Sequence, residues 1–136
     1  MGAIPRGEGV RTMTRGRVLI VEDEPDLAWV EQFNLETEGY EVKWAAEGRA
    51  AIEALDEFQP DVIVLDLMLP HVDGWAVLEK AQQLPTNERP TVIMVSAVAG
   101  MEERLNATYV DGSRFLAKPF EMEDLIQLVA EALPAA

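Results

Sequence analysis

From Arg17 onward the chain alternates short β-branched runs with longer amphipathic stretches. The short runs read as strands buried in a parallel sheet, and the longer ones as helices. The predicted strands are 17–22, 41–45, 61–66, 91–96 and 114–117. The predicted helices are 25–38, 47–57, 74–83, 101–110 and 122–133. This alternation predicts a doubly wound (βα)5 α/β fold with a five-stranded parallel sheet in the order 2-1-3-4-5, as in flavodoxin-like domains.

Charged or polar residues follow four of the predicted strands. Glu22 ends the first and Asp23 comes directly after it, Asp66 ends the third, Ser96 ends the fourth and Lys118 follows the fifth. The carboxyl ends of parallel strands meet at one edge of the sheet, so these side chains should converge there. Carboxylates suit a hard dication such as Mg²⁺, and the lysine suits a phosphate. The pattern predicts a metal and phosphate site.

Asp66 is the candidate nucleophile of this predicted site. A carboxylate can attack phosphorus and form an acyl phosphate when a cation and an ammonium group neutralise the incoming oxygens. Lys118 supplies the ammonium group, and the Lys118–Pro119 bond is predicted to be cis. The Ser96 hydroxyl can donate a hydrogen bond to a phosphate oxygen. Each residue alone could be an ordinary strand-end residue, so the prediction rests on their convergence.

Length and charge limit the remaining possibilities. The 136 residues suffice for one domain, predicted at 17–134 with no output domain, after a flexible extension at 1–16. The extension has a net charge of +2 and the whole chain −14, which leaves −16 on the remainder. So acidic a body argues against direct binding of nucleic acid. The sequence has no cysteine, no secretory segment and no apolar run long enough to span a membrane, and we expect a cytoplasmic protein.

Several motifs together resemble the receiver domain of two-component response regulators, the CheY-like family, from Arg17 to about Leu133. They are Val-Leu-Ile-Val-Glu-Asp-Glu-Pro at 18–25, Pro-Asp-Val-Ile-Val-Leu-Asp-Leu-Met-Leu-Pro at 60–70, Asp-Gly at 73–74, Ser-Ala at 96–97 and Lys-Pro-Phe at 118–120. The resemblance implies that Asp66 accepts a phosphoryl group from a histidine kinase or a histidine phosphotransfer protein. It also implies Mg²⁺ or Mn²⁺ held by Asp23, Asp66 and the main-chain carbonyl of Met68, with Glu22 acting through water.

The resemblance further implies a switch that controls a downstream protein partner. Phosphorylation would draw the Ser96 hydroxyl inward, and Phe115 would turn into the space that it leaves. The surface of the fourth helix, the fifth strand and the fifth helix would then change, and a phosphorylation-dependent homodimer is one outcome common in the family. Asp111 stands where the family usually has glycine, which puts the end of the fourth helix in question.

Two further predictions concern phosphoryl lifetime and partner docking. Met68 and Val98 flank the position of a hydrolytic water in the family, and neither can orient water, so we expect slow self-dephosphorylation. On the first helix we predict an inward stripe of Leu27, Val30 and Leu35. Trp29 and Phe33 would point outward, where they are candidates for docking the phosphodonor or for packing within a broader buried face. His71, the only histidine, is given no phosphotransfer role.

Two other functions compete with the signalling switch. A phosphatase with an aspartyl-phosphate intermediate, similar to dehalogenase-like hydrolases, would want an acid two residues after Asp66, and Met68 occupies that place. A protein-interaction module that works without phosphorylation would not need the complete set of acidic, hydroxyl and ammonium groups. The sequence therefore favours a switch that is not an enzyme beyond its own phosphorylation and slow dephosphorylation.

Overall fold

A five-stranded parallel sheet forms the centre of the protein. The computed structural model describes residues 14–67, 74–97 and 114–133. Its strands are β1 (Arg17–Val21), β2 (Glu41–Ala45), β3 (Val62–Asp66), β4 (Thr91–Ser96) and β5 (Arg114–Ala117). All neighbouring pairs are parallel, in the order β2-β1-β3-β4-β5, which confirms the predicted fold.

Four helices lie within the described residues and cover the two faces of the sheet. They are α1 (Pro25–Thr37), α2 (Gly48–Glu57), α3 (Gly74–Gln82) and α4 (Met122–Ala132), and a short 3₁₀ helix spans Thr86–Glu88. The predicted helix at 101–110 lies outside the described residues, so α4 is the predicted last helix. None of the helices in the described ranges combines the length and the hydropathy needed to cross a membrane.

The core consists of two apolar layers, one on each face of the sheet. Val18 and Ile20 of β1 pack with Leu125 of α4 in one layer, which also includes Leu35 of α1. Leu19 and Val21 point to the other layer, beneath α2 and α3. Burial of one such side chain contributes about 1.5–3 kcal/mol relative to exposure. Because β1 and β3 are buried along their whole length, their carboxyl ends are held in a fixed register.

The inward face of α1 differs from the predicted stripe. Ala28, Glu31 and Leu35 are its buried residues, whereas Val30 is 38% exposed, so the prediction was wrong at Val30. Positions 28, 31 and 35 have the i, i+3, i+7 spacing of one helix face. Because this face includes a glutamate, a search for a purely apolar stripe does not identify it. Trp29 is 65% exposed and stacks on Phe33 with ring centroids 5.4 Å apart.

Contacts with the domain begin inside the segment predicted as an N-terminal extension. The Arg15 main-chain N–H donates to the carbonyl of Gly39 at 2.9 Å, and the guanidinium lies 4.8 Å from the ring centre of Tyr40. Gly39, which follows the C-cap residue of α1, has φ +102°, a backbone conformation that favours glycine. Residues 1–13 of the predicted extension lie outside the described residues.

Candidate phosphorylation and metal site

The strand register places Glu22 beside Asp66. Val21 at the end of β1 pairs with Leu65 of β3, and the next residues along both strands are these two acids. On the other side of β3, Asp66 pairs with Val95 of β4. Both acids continue the alternation that faces α1 and α4, so their side chains leave the sheet on the same side.

Lys118 joins the two acids. Its Nζ donates to Oδ2 of Asp66 at 3.0 Å and to Oε1 of Glu22 at 3.2 Å. Its main-chain N–H donates to the carbonyl of Ser96 at 3.0 Å, which ties the residue after β5 to the end of β4. The Lys118–Pro119 bond is cis. The side chains of Glu22, Asp66 and Lys118, from three of the four strand ends, are therefore in contact, and the end of β4 is joined to them through the Ser96 carbonyl.

Hydrogen bonds with β2 and with Glu24 hold the Glu22 backbone and carboxylate in place. The Glu22 N–H donates to the carbonyl of Ala45, and its own carbonyl accepts a 2.7 Å hydrogen bond from Nε1 of Trp44. Its second carboxylate oxygen accepts from the main-chain N–H of Glu24 at 3.1 Å. Sequence reasoning missed Trp44, because no local pattern indicates that a residue of β2 supports the loop after β1.

The acidic side chains fit a hard dication. One carboxylate oxygen each from Glu22, Asp23 and Asp66 all lie within 4.8 Å of one another. Oxygens that share one Mg²⁺ or Ca²⁺ are separated by at most about 4 to 5 Å, so small movements would bring all three to a common ion. Glu22 and Asp66 are buried, and Asp23 is exposed at the mouth of the site. Met68, whose carbonyl is the fourth predicted ligand, lies outside the described residues.

The pKa shifts show how the site balances its charges. Burial raises the pKa of Glu22, against the hydrogen bond from Glu24 and the charge of Lys118, and the charge of Asp66 raises it further. Burial by itself lowers the pKa of Lys118, but its contacts with Asp66 and Glu22 raise that pKa above the ordinary value. Three carboxylates near one ammonium group leave an excess of negative charge that a dication would neutralise.

Glu31 is an acidic group that sequence reasoning did not select. It is 1% exposed on the inward face of α1, and neither carboxylate oxygen has a hydrogen-bond partner among the described residues. Burial, followed by the charges of Glu22 and Asp66, raises its pKa to about 8, although Lys118 acts in the opposite direction. The available signal was a glutamate at the i+3 position between Ala28 and Leu35, on a face that otherwise consists of apolar residues.

The two predicted switch residues lie on the same face of the sheet. Ser96 is buried at the end of β4 and pairs with Ala117 of β5. Two residues earlier on both strands, Met94 of β4 pairs with Phe115 of β5. Paired residues and residues two apart share a face of a parallel sheet. Phe115 is partly buried against the core layer beneath α2 and α3. Because the Ser96 and Phe115 side chains share a face, their arrangement is compatible with the predicted movement of Phe115 into the space beside Ser96.

Gly74 allows the first turn of α3 to approach the end of β3 closely. A Cβ atom at this position would lie 2.6 Å from Cα of Leu67 and 2.8 Å from the carbonyl oxygen of Asp66. Only glycine avoids these contacts with backbone atoms. The close packing of α3 on the end of β3 therefore explains the glycine in the Asp-Gly sequence at 73–74.

Comparison with known proteins identifies the family. The sequence matches the response regulator receiver domain over residues 18–130, and the chain belongs to this family. It is 32% identical over 117 residues to the DNA-binding dual master transcriptional regulator RpaA of Synechocystis, with 86% of this chain and 48% of the relative covered. It is 34% identical over 120 residues to the phosphate regulon transcriptional regulatory protein PhoB of Rhizobium meliloti, with 88% and 53% covered. The chain thus spans about half the length of these relatives.

Solved structures show the same fold. The signal receiver domain of a LuxO repressor protein from Vibrio parahaemolyticus superposes with a TM-score of 0.77 at 32% identity, covering 88% of this chain and 90% of that one. The receiver domain of a sensor histidine kinase from Pseudomonas aeruginosa has a TM-score of 0.75 at 27% identity, covering 88% and 98%. That structure is described with a magnesium ion coordinated in its active-site cleft.

Proposed function

We propose that this protein is a phosphorylation-controlled switch in which Asp66 accepts a phosphoryl group. The donor is the phosphohistidine of a histidine kinase or of a histidine phosphotransfer protein. The carrying observation is Lys118, whose Nζ bridges Asp66 and Glu22 beside a third carboxylate. This arrangement brings a nucleophile, an ammonium group and a set of dication ligands to one edge of the sheet.

In the proposed reaction an Asp66 carboxylate oxygen attacks phosphorus. A P–O bond forms, the P–N bond to the donor histidine breaks, and its electron pair returns to the imidazole nitrogen. Lys118, now shared between two carboxylates, would donate to one phosphoryl oxygen, and the Ser96 hydroxyl would donate to another. Mg²⁺ or Mn²⁺, held by Asp23, Asp66 and the Met68 carbonyl with Glu22 through water, would neutralise charge on the transferred group.

Phosphorylation from acetyl phosphate tests this function directly. In the presence of Mg²⁺ we expect the intact mass of the wild-type protein to increase by one phosphoryl group, and removal of Mg²⁺ by EDTA should prevent the increase. If the protein stayed unmodified while a known receiver reacted in the same tube, a phosphorylation-independent interaction module of receiver fold would become the better explanation.

For the output we propose a cytoplasmic receiver that controls a separate protein. The signal would pass from Ser96 and Phe115 to the surface of residues 101–133, where a partner or a second copy of the chain would bind. The names of the relatives favour a second candidate, control of DNA binding through a further region. The mass of the native protein, compared with that of this sequence, distinguishes the two candidates.

We propose that the outer face of α1 docks the phosphodonor. Trp29 and Phe33 form an exposed stacked pair there. Near the start of α1, a mainly apolar cavity of about 290 Å³ is lined by Leu27, Ala97, Lys118, Pro119 and Phe120, so it borders the lysine of the site. A partner on this side would reach both features, and aromatic anchors typically dominate binding energy.

Trp29→Ala is expected to weaken transfer from the protein donor but not from acetyl phosphate. Loss of one aromatic anchor should raise the KM for the phosphorylated partner by about tenfold, which corresponds to about 1.4 kcal/mol. The kinetics of both donors, measured on the same variant, check this. Unchanged transfer from the protein donor would place the docking surface elsewhere.

The proposed switch catalyses no reaction besides its own phosphorylation and a slow self-dephosphorylation. Met68 has no group that can orient a water molecule for attack on the phosphoryl group. Met68→Asn is expected to shorten the lifetime of the phosphorylated form, because the amide can orient such a water. The decay of the phosphorylated mass after removal of acetyl phosphate measures both lifetimes, and a wild-type lifetime as short as that of the variant would contradict the prediction.

A further inference from the structure

Glu31 is a buried acid for which the proposed phosphoryl transfer has no use. It lies on the inward face of α1, 1% exposed, and both carboxylate oxygens lack a hydrogen-bond partner in the part of the chain that the structure describes. An unpaired buried carboxylate costs several kcal/mol, so such a group either takes up a proton or finds a cation. The neighbouring inward positions of the helix are apolar, Ala28 and Leu35, so packing against the core does not require an acid at position 31. Glu31 is therefore a costly residue for packing alone.

The charges that act on Glu31 belong to the acidic site. The inward face of α1 covers the side of the sheet from which the Glu22 and Asp66 side chains project, so Glu31 and the acidic site lie on the same side of the sheet. Glu22 and Asp66 oppose the ionisation of Glu31, and Lys118 favours it. None of the three forms a hydrogen bond with it. The field at Glu31 therefore depends on the net charge of a site that is rich in carboxylates.

Within residues 14–67, 74–97 and 114–133, the other elements packed against α1 offer Glu31 no compensating charge. The buried residues of α4 are Leu125 and Val129, and its acidic residues are exposed. On β2, Lys43 is exposed and Glu41 pairs with Arg17. The remaining acids of α1, Asp26 and Glu36, are exposed. The state of Glu31 is thus governed by burial and by the acidic site.

We propose that Glu31 is a positioning residue that stores a proton for the metal site: it carries the proton while the site lacks a dication and releases it when a dication binds. The step balances, because two positive charges enter the cluster of Glu22, Asp23 and Asp66 while the Glu31 O–H bond breaks and one proton leaves to the buffer. The ionised Glu31 then adds a fourth negative charge near the ion. Burial and the neighbouring acids raise its pKa to about 8, which is consistent with a stored proton near neutral pH.

This exchange makes dication affinity depend on pH. Below the pKa of Glu31 the incoming ion must displace a proton, so affinity rises with pH and reaches a plateau once Glu31 is already ionised. Since Glu22 also has a raised pKa, the wild-type pH dependence has two sources. The difference between the wild type and a variant with a neutral residue 31 isolates the share of Glu31.

Calorimetric titration with Mg²⁺ tests the proposal, which rests on the proposed metal site. We would titrate the wild type, Glu31→Gln and Glu31→Leu in buffers of low and high ionisation enthalpy, which count released protons. Glu36→Gln, an exposed acid of the same helix, is the matched control. Two neutral variants of different polarity ensure that one poorly folded variant does not decide the result, and thermal unfolding checks that each is folded.

The expected result is a loss of proton release in both Glu31 variants. Near neutral pH, the number of protons released per Mg²⁺ bound should be lower in both variants than in the wild type, by about 0.5 or more. Between roughly pH 6.5 and 8.5, the Mg²⁺ affinity of the variants should also change about tenfold less than that of the wild type. Glu36→Gln should match the wild type. Equal proton release in the wild type and the Glu31 variants would overturn the proposal while leaving the metal site intact. A wild type that does not bind Mg²⁺ would overturn both.

Discussion

Asp66→Asn is expected to abolish phosphorylation of the protein by acetyl phosphate. The asparagine amide keeps the shape of the side chain but is not a nucleophile toward phosphorus, so no acyl phosphate can form. In the fold, Asp66 is the acid that the β1–β3 and β3–β4 registers place at the centre of the site. Intact mass spectrometry after incubation with Mg²⁺ and acetyl phosphate measures the result, and we expect no detectable phosphorylated species.

A matched variant separates the loss of the nucleophile from the loss of charge. Asp56→Asn removes the same charge from an exposed position on α2 and should be phosphorylated like the wild type. Folding is checked by circular dichroism, because Asp66→Asn also removes one hydrogen-bond partner of Lys118. Persistent phosphorylation of a folded Asp66→Asn protein would show that another residue is the acceptor, and peptide mapping would identify it.

Glu31→Leu is expected to stabilise the fold, increasingly so as pH rises. The pKa of Glu31 is raised from 4.5 to about 8 in the folded protein. Its contribution to stability is therefore fully present below about pH 4.5 and is lost progressively as pH rises toward 8, because the unfolded chain ionises this group freely. Leucine has no such loss. Near pH 7 the free energy of unfolding should be larger in the variant by about 3 kcal/mol.

Urea unfolding with EDTA over a series of pH values measures this effect without bound dications. The quantity of interest is the difference between Glu31→Leu and the wild type, in which the other titrating groups largely cancel. Glu36→Leu, on the exposed side of α1, should change the free energy of unfolding only slightly. A Glu31→Leu protein less stable than the wild type at every pH would mean that the carboxyl group has a stabilising partner.

Together with the proposed proton storage, this result would mean that Glu31 lowers the stability of the fold and makes dication affinity depend on pH. The wild type keeps an acid where leucine would hold the fold together better, and gains a dication affinity that depends on pH. Glu31→Leu should be both more stable and less dependent on pH in its binding of Mg²⁺. Either property without the other would separate the stability effect from the binding effect.

The sequence alone determined the strand order and the residues at the strand ends. Buried parallel strands are short, β-branched and continuous, so they stand out from amphipathic helices. Their ends are marked by Glu22, Asp66, Ser96 and Lys118, and in a parallel sheet those ends must share one edge. The motifs around these residues also led to the family that the comparisons confirm.

The tertiary structure decided which face of α1 is buried and what supports the site from other elements. Helical periodicity predicted an inward stripe of Leu27, Val30 and Leu35, which was wrong at Val30 because the buried face includes Glu31. The hydrogen bond from Trp44 to the Glu22 carbonyl joins residues 22 positions apart, beyond any local pattern. Local sequence reports what a segment prefers, whereas the environment of a buried acid depends on neighbours brought together only by folding.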